Sequence, residues 1–164
     1  TLEQNLTHYA QIIEQDLGVA VAQIPGAGAA GGLGAGLLAF TQAQIQAGVE
    51  VVLAETHLAK LAQDADFVIT GEGQIDFQTQ YGKTPIGVAQ AVKKSNPAVT
   101  VIAIAGSVGP KTEILYQLGI DAIFSATPGS MSLAQALAQT KSNLTLTSMN
   151  IARLIQKIHK INAY

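Results

Sequence analysis

Residues 66–83 of the chain read DFVITGEGQIDFQTQYGK, a short hydrophobic run followed by a glycine-rich polar stretch. The β-branched run Phe67 to Thr70 predicts a buried strand, and Gly71-Glu72-Gly73 predicts a loop directly after it. The stretch ends at Gly82-Lys83, just before Thr84-Pro85, which is typical of an N-cap followed by proline at the first helical position. Because ligands bind at the carboxyl ends of strands in parallel α/β sheets, this is the predicted active-site loop.

The sequence from residue 66 to 164 predicts a lobe in the order β-α-β-α-β-α. Three hydrophobic runs and the segments between them predict strands at 67–70, 99–105 and 119–124 and helices at 84–94 and 112–118. This alternation predicts a parallel sheet with helices on both faces, as in Rossmann and flavodoxin-like folds. The loops after the strands, including Thr127-Pro128-Gly129, should then share one edge.

The end of the chain predicts a single long helix. Ser132-x-x-Gln135 is a capping box, which marks a helix start. Apolar residues then recur at helical spacing and predict one packing stripe, formed by Leu133, Leu137, Leu144, Ile151, Leu154 and Ile158.

The first 65 residues are rich in glycine and alanine, and they predict part of a second, incomplete α/β lobe. Helical spacing of apolar residues runs from Leu2 to near Gly18, and a strand is expected over Val19 to Ile24. A helix of small residues is expected from Gly31 to Phe40, and helical periodicity resumes from Val49 to Asp64. The change in composition predicts a domain boundary at residue 65.

Composition narrows the classes of function. The 164 residues are 48% hydrophobic, with a formal net charge of −2 and no cysteine. The nine Lys and Arg are scattered, which argues against a nucleic-acid partner. Pro25 and several glycines interrupt the uncharged segment 17–49, which argues against a membrane span. The absence of cysteine fits a reducing compartment, so the cytoplasm is the expected location.

Residues 25–34 read PGAGAAGGLG and match the dinucleotide fingerprint Gly-x-Gly-x-x-Gly at Gly26, Gly28 and Gly31. The fingerprint also needs an acidic residue after the next strand, and here Glu50 falls within a helical pattern instead. Three interpretations remain open. The block binds NAD or FAD, or it lets a helix pack close to a sheet, or its backbone amides, including that of Gly32, bind a phosphate or carboxylate.

The predicted active-site loop holds candidate catalytic residues. Glu72 and Asp76 are four residues apart, close enough to bind one Mg²⁺ together or to act as metal ligand and general base. Lys83, beside a helix start, is a candidate phosphate ligand, although the residues before it do not form a P-loop. The alternatives are turn or helix caps for the carboxylates and a solvated surface position for the lysine. Neutral groups that are candidates for binding substrate or phosphate are Thr70, Gly71, Gly73 and Gln74.

Several separated motifs resemble those of the bacterial glycerate kinase family, of the glycerate 2-kinase type. They are PGAGAAGGLG at 25–34, TGEGQID at 70–76, GKTPIGVA at 82–89 and GIDAIFS at 119–125, followed by the last helix. Their order and spacing agree with the family over most of the chain. The chain resembles the carboxyl-terminal portion of a longer, two-domain enzyme, because the motif Asp-Gly-Gly-Glu-Gly of the family's amino-terminal half is absent from it.

The resemblance implies transfer of the γ-phosphoryl group of ATP to a hydroxyl of D-glycerate, with Mg²⁺. It implies that Asp76 acts on the hydroxyl or binds the metal, and that Glu72 serves the metal. Lys83 and the amides around residues 26–32 would bind phosphate or the glycerate carboxylate. The missing amino-terminal half would supply part of the cleft, so this portion is not expected to be active alone.

Two competing hypotheses come from other classes of function. One is a non-catalytic α/β lobe that binds a small anion or dimerises, because an incomplete lobe with an exposed sheet edge tends to form homo-oligomers. The other is an NAD-dependent reductase, which rests on the glycine fingerprint alone.

Overall fold

The computed structural model describes residues 1–161, which belong to two compact units, Thr1–Ala47 and a second unit that begins at Gly48. The helices are α1 (Leu2–Leu17), α2 (Ala29–Thr41), α3 (Gly48–Glu55), α4 (Leu58–Leu61), α5 (Thr84–Ser95), α6 (Leu133–Ala138) and α7 (Thr140–Ile161). The strands are β1 (Phe67–Ile75), β2 (Thr100–Val108) and β3 (Ala122–Ser125), and 3₁₀ helices span Phe77–Gln80 and Thr112–Leu118. None of these described helices combines the length and apolar character needed to cross a bilayer.

The second unit is built on a parallel sheet with the strand order β1-β2-β3. In register, Phe67 of β1 lies opposite Thr100 of β2, and Ile102 of β2 lies opposite Ala122 of β3. Strands and helices alternate along the chain, although the second crossover is a 3₁₀ helix rather than an α-helix. The predicted α/β class with a parallel sheet is confirmed.

Each face of the sheet packs against a different set of helices. Successive strand residues point to opposite faces. Val101 of β2 is buried in a cluster with Val92 of α5, whereas Ile104 of β2 is buried in a cluster with Ile151 of α7. Helices therefore cover both faces, as predicted for a Rossmann-like sheet.

The first two strands extend further than the sequence indicates. β1 continues through Ile75, so residues 71–75 of the predicted active-site loop are strand, whereas Phe77–Gln80 form a 3₁₀ helix. A Cβ atom at Gly71 would lie 2.5 Å from the backbone oxygen of Ile104, and one at Gly106 would lie 2.7 Å from that of Gly73. Glycine is needed here because the two backbones approach too closely for a side chain. The prediction of a loop at Gly71 is wrong because glycine there serves close strand pairing.

The final helix is divided in two. The capping box at its start forms as predicted, with the Gln135 N–H donating to Ser132 Oγ at 3.3 Å. However, α6 ends at Ala138 and α7 begins at Thr140, so the prediction of one continuous helix is wrong. Of the predicted apolar stripe, Ile151 is buried, whereas its other five leucine and isoleucine side chains are exposed.

The first unit, all of which is described, contains helices and turns but no strand. α1 ends as predicted at Gly18, which has the left-handed conformation typical of a helix C-terminus. The predicted strand from Val19 to Ile24 is wrong. Val21 is fully buried in a cluster with Ile13 of α1, so these apolar residues pack on a helix and have no strand to pair with.

The start of α2 is a left-handed turn. Ala30, Gly31 and Gly32 have φ values of 51°, 68° and 96°. Glycine adopts this region freely, whereas an L-residue such as Ala30 pays roughly 1–2 kcal/mol for it. A Cβ atom at Gly34 would lie 2.6 Å from the backbone oxygen of Gly26. Part of the glycine block is therefore required for close backbone packing within this unit.

The sequence division between the units falls at Ala47 and Gly48. Residues 48–65, which include α3 and α4, belong to the unit of the sheet, and Ala62 is part of the sheet's hydrophobic core. The boundary at residue 65 was predicted for the domains of the whole protein and stays a prediction.

Asp121 joins the starts of β2 and β3 to the end of α5. Its Oδ2 accepts a hydrogen bond from the Val101 N–H at 2.6 Å and lies 2.8 Å from Lys93 Nζ. Lys93 Nζ also donates to the backbone oxygen of Val99 at 2.6 Å. One carboxylate thus links three elements at the edge of the sheet where the strands begin.

We predict that Asp121→Ala lowers the free energy of unfolding by about 1–3 kcal/mol, because the buried Val101 N–H loses its side-chain acceptor. Urea unfolding followed by circular dichroism measures the change. The control is Asp64→Ala, which truncates an exposed aspartate of the same unit. Equal losses in the two variants would contradict this account of Asp121.

We also predict that Gly34→Ala destabilises the first unit by roughly 1–3 kcal/mol, because the new methyl group meets the Gly26 backbone oxygen. Gly48→Ala is the matched control, since a Cβ at Gly48 meets nothing within 4 Å. Thermal unfolding of the two variants should differ clearly, and a Gly34→Ala protein as stable as wild type would show that the backbone can move aside.

Candidate active site

A cavity of about 1120 Å³ lies at the carboxyl edge of the sheet, within the second unit. It is lined by residues 69–73 of β1, by 104–108 of β2, by Ser125 at the end of β3 and by 126–131 after it, together with residues of α6 and α7. The prediction that the ends of the three strands share one edge is confirmed, and Thr127-Pro128-Gly129 lies at that edge.

Glu72 has a carboxylate oxygen without a partner. It lies near the carboxyl end of β1, and its Oε1 is 4.0 Å from Lys83 Nζ, the outer limit of an ion pair. Its Oε2 is buried and accepts no hydrogen bond within the described structure. A buried carboxylate oxygen that no donor satisfies is costly, so this atom marks a place where a cation or a ligand donor would bind.

Lys83 is placed by the start of α5. It is the N-cap residue of this helix, so the prediction that Thr84 is the N-cap is wrong by one residue. Pro85 lies in the first turn, where its lack of an N–H costs nothing. The fold thereby brings one ammonium group to the same edge as the Glu72 carboxylate.

Asp76 follows β1 and caps the 3₁₀ helix Phe77–Gln80. Its Oδ1 accepts from the Gln78 N–H at 2.9 Å, and its Oδ2 accepts from Gln74 Nε2 at 3.4 Å. Its own N–H donates to Thr79 Oγ1 at 3.2 Å. The carboxylate therefore has the capping role considered as the alternative, while each oxygen keeps a further lone pair for another donor.

The other candidate residues divide between the two units. Thr70, Gly71 and Gly73 line the cavity, and Gln74 lies at the end of β1 beside Asp76. The glycine-block candidates belong to the first unit and are Gly26, Gly28, Gly31 and Gly32. The structure thus brings the candidates of residues 70–83 to one region of the second unit.

The glycine block lacks the context of a dinucleotide site. Such a site needs a strand that leads into the glycine turn. Residues 19–24 form turns and irregular backbone instead, and α2 begins with the left-handed turn at Ala30. The close-packing interpretation has direct support at Gly34, and anion binding by the amides stays a prediction.

Asn143 was missed by the sequence interpretation. It lies in α7, lines the cavity and is only 8% exposed. Its Nδ2 makes one weak contact, 3.8 Å to Met131 Sδ. A polar residue in the middle of a helix is usually solvated, so no sequence pattern distinguished this one from its exposed neighbours.

Comparison with known proteins identifies relatives that are named as glycerate kinases. The model of the glycerate kinase family matches residues 1–156. The glycerate kinase of Halalkalibacterium halodurans is 58% identical over 92% of this chain, and the glycerate 2-kinase of Escherichia coli is 44% identical over 92%. A crystal structure described as that of glycerate kinase 2 from Salmonella typhimurium LT2 is 43% identical, with a TM-score of 0.75 over 96% of this chain.

The matched region is only part of each relative. The chain spans 39% of the two curated relatives and 40% of the Salmonella protein. The family match nevertheless covers nearly all of the described residues, and the identities are high throughout. We conclude that the chain belongs to the glycerate kinase family.

Proposed function

We propose that this chain forms the phosphoryl-transfer portion of a glycerate kinase, which transfers the γ-phosphoryl group of ATP to a hydroxyl of D-glycerate. Membership of the family supports the reaction class. The structural observation that carries the proposal is the buried, unpartnered Oε2 of Glu72, beside Lys83 at the carboxyl edge of the sheet. Phosphoryl transfer requires mainly positioning and neutralisation of charge, and one cation with one open carboxylate supplies groups for both.

The chemistry of these residues fits Mg²⁺. The described residues contain no cluster of three or more His, Cys, Asp or Glu that could hold a metal on their own. Mg²⁺ does not need one, because it is usually bound by one or two carboxylates together with substrate phosphates and water. Glu72 Oε2 is the proposed ligand, with Asp76 as the second candidate. When bound, the metal would neutralise charge on the phosphates.

Lys83 is proposed to bind a phosphate of the nucleotide. Its distance of 4.0 Å from Glu72 Oε1 leaves the pair loose, so the ammonium can take a closer anionic partner. Its position at the start of α5 adds the positive end of the helix dipole. The neighbouring backbone of Gly71 and Gly73, with Thr70 and Gln74, is proposed to contact substrate or phosphate.

Asp76 is proposed to orient the glycerate hydroxyl and accept its proton. The two N–H donors from Gln78 and Gln74 hold the carboxylate in place while leaving lone pairs free. The hydroxyl oxygen forms a bond to the γ-phosphorus as the bond from that phosphorus to the β–γ bridging oxygen breaks. ADP leaves, and the proton on Asp76 passes to solvent.

We propose that a further, amino-terminal half completes the enzyme, since the relatives are more than twice as long as the region matched. The amides of Gly26, Gly28, Gly31 and Gly32 are the proposed second anion site. This portion alone is then inactive, tends to self-associate and works in the cytoplasm as part of the complete enzyme.

Asp76→Asn tests the role of the base. Asparagine keeps an oxygen for the Gln78 N–H, so the 3₁₀ cap should persist, while turnover should fall about 10²–10⁴-fold because proton transfer is lost. A coupled assay of ADP release with D-glycerate and Mg-ATP on the complete enzyme measures this. Asp64→Asn should leave turnover unchanged, and an Asp76→Asn enzyme within tenfold of wild type would rule out the base.

Glu72→Gln tests the metal ligand. The amide is a poor ligand, so the Mg²⁺ concentration for half-maximal ADP release should rise at least about tenfold. Stability should not fall, because the change removes a buried charge that has no close partner. Glu113→Gln is the control at an exposed position of the same unit. An unchanged Mg²⁺ requirement would refute the assignment of Glu72.

A further inference from the structure

The cavity at the carboxyl edge is suited to an uncharged group. Among the described residues that line it, Glu72 is the only charged one, and no cation is present. The apolar lining side chains include Ile69, Ile104, Val108, Met131, Leu133 and Leu137. An anion such as glycerate would find no cationic side chain among these lining residues. Its volume of about 1120 Å³ also exceeds what a three-carbon acid needs and is of the size that holds drug-sized ligands.

Part of the cavity wall is bare backbone. Gly71, Gly73 and Gly106 all line it and carry no side chain. A Cβ atom at Gly73 would meet nothing within 4 Å, so open space begins at this backbone. Glycine at such a position lets a ligand approach the main chain closely. Main-chain atoms that no side chain covers, next to apolar side chains, form a surface on which a planar ring can pack.

Asn143 brings an unused amide to this cavity. The residue is 8% exposed, and the only hydrogen-bond contact of its side chain in the described structure is the weak one to Met131 Sδ. Its oxygen accepts nothing there, so a donor and an acceptor on one amide remain available to a ligand. The unpaired oxygen is not enclosed by protein, so a ligand in the cavity can reach it and pair with both atoms of the amide.

We propose that this cavity binds the adenine base of the nucleotide and that the Asn143 amide pairs with its edge, an inference that rests on the proposed function for the phosphates. Adenine presents an amino donor at N6 next to an acceptor at N7, which matches the acceptor and donor of an asparagine amide. Guanine presents two acceptors on that edge and would leave the Asn143 oxygen unpaired. The cavity is therefore selective for adenine over guanine.

Glu72 connects this cavity to the proposed phosphate site. It lines the cavity, and its Oε1 lies 4.0 Å from Lys83 Nζ. The base would thus occupy the uncharged part, while the phosphates would extend toward the charged pair. All the residues named in this inference belong to the second unit, so binding of the base can be tested on this chain.

Asn143→Leu tests the pairing, because leucine is similar in size and removes only the amide. Thermal unfolding of the 164-residue chain is followed with ATP, GTP and tripolyphosphate, each with Mg²⁺. Wild type should be protected by ATP at lower concentration than by GTP. The variant should lose about 5–100-fold in ATP affinity and most of that preference, with no change toward tripolyphosphate. Asn150→Leu, at an exposed position of the same helix, should behave as wild type.

Ala136→Phe is a second variant that does not depend on the amide. Ala136 of α6 lines the cavity, and phenylalanine there would occupy space needed by any base. Protection by ATP and by GTP should both fall, while the effect of tripolyphosphate stays the same. Unchanged protection by ATP would show that the base does not enter this cavity.

Besides unchanged protection of Ala136→Phe, three outcomes overturn the inference: equal protection of wild type by ATP and GTP, an ATP preference that survives Asn143→Leu, or no protection of wild type by ATP. The assay of ADP release separates these from failure of the proposed function. A complete enzyme that phosphorylates D-glycerate equally well with ATP and GTP would refute base recognition alone. A complete enzyme with no D-glycerate-dependent turnover would refute the kinase proposal.

Discussion

The close approach of β1 and β2 near their carboxyl ends is the constraint on which the rest of the second unit depends. Gly71 and Gly106 allow it, since a Cβ at either position would collide with the backbone of the neighbouring strand. The ladder then continues to Ile75, and Glu72 lies within it, opposite Ala105 of β2. Asp76, directly after the strand, is placed by the same extension. A conventional loop after Thr70 would put both carboxylates elsewhere.

Sequence patterns predicted the sheet correctly because its middle strand, β2, is buried on both faces over residues 101–105 and because the helix after β1 begins with a clear signal. The apolar run of β2 and the proline at the start of α5 are each compatible with few other secondary-structure assignments. The sequence patterns failed where a residue is apolar, or is a glycine, for a structural reason other than the one that the pattern indicates. Val21 is apolar because it packs on α1, not because it belongs to a strand. Gly71 is a residue of strand pairing, not of a turn.

Prediction of the candidate site was limited in the same way. The patterns indicated that chemistry would lie at the carboxyl edge, and the structure places Glu72 and Lys83 there together. They could not show that Asp76 is already hydrogen-bonded as a cap, because that depends on the 3₁₀ helix that follows. No sequence pattern indicated that Asn143 lines the cavity. It is buried among residues from distant parts of the chain that line the cavity, and local sequence does not encode that arrangement.

The two glycines of the stretch TGEGQID are constrained for different reasons. Gly71 has no room for a side chain, whereas a Cβ at Gly73 meets nothing within 4 Å and its backbone needs no left-handed conformation. Protein folding alone therefore forbids replacement at Gly71 but not at Gly73. Conservation of glycine would therefore mean different things at the two positions. At Gly71 it would follow from folding alone. At Gly73, where the fold would tolerate alanine, it would indicate selection for ligand binding.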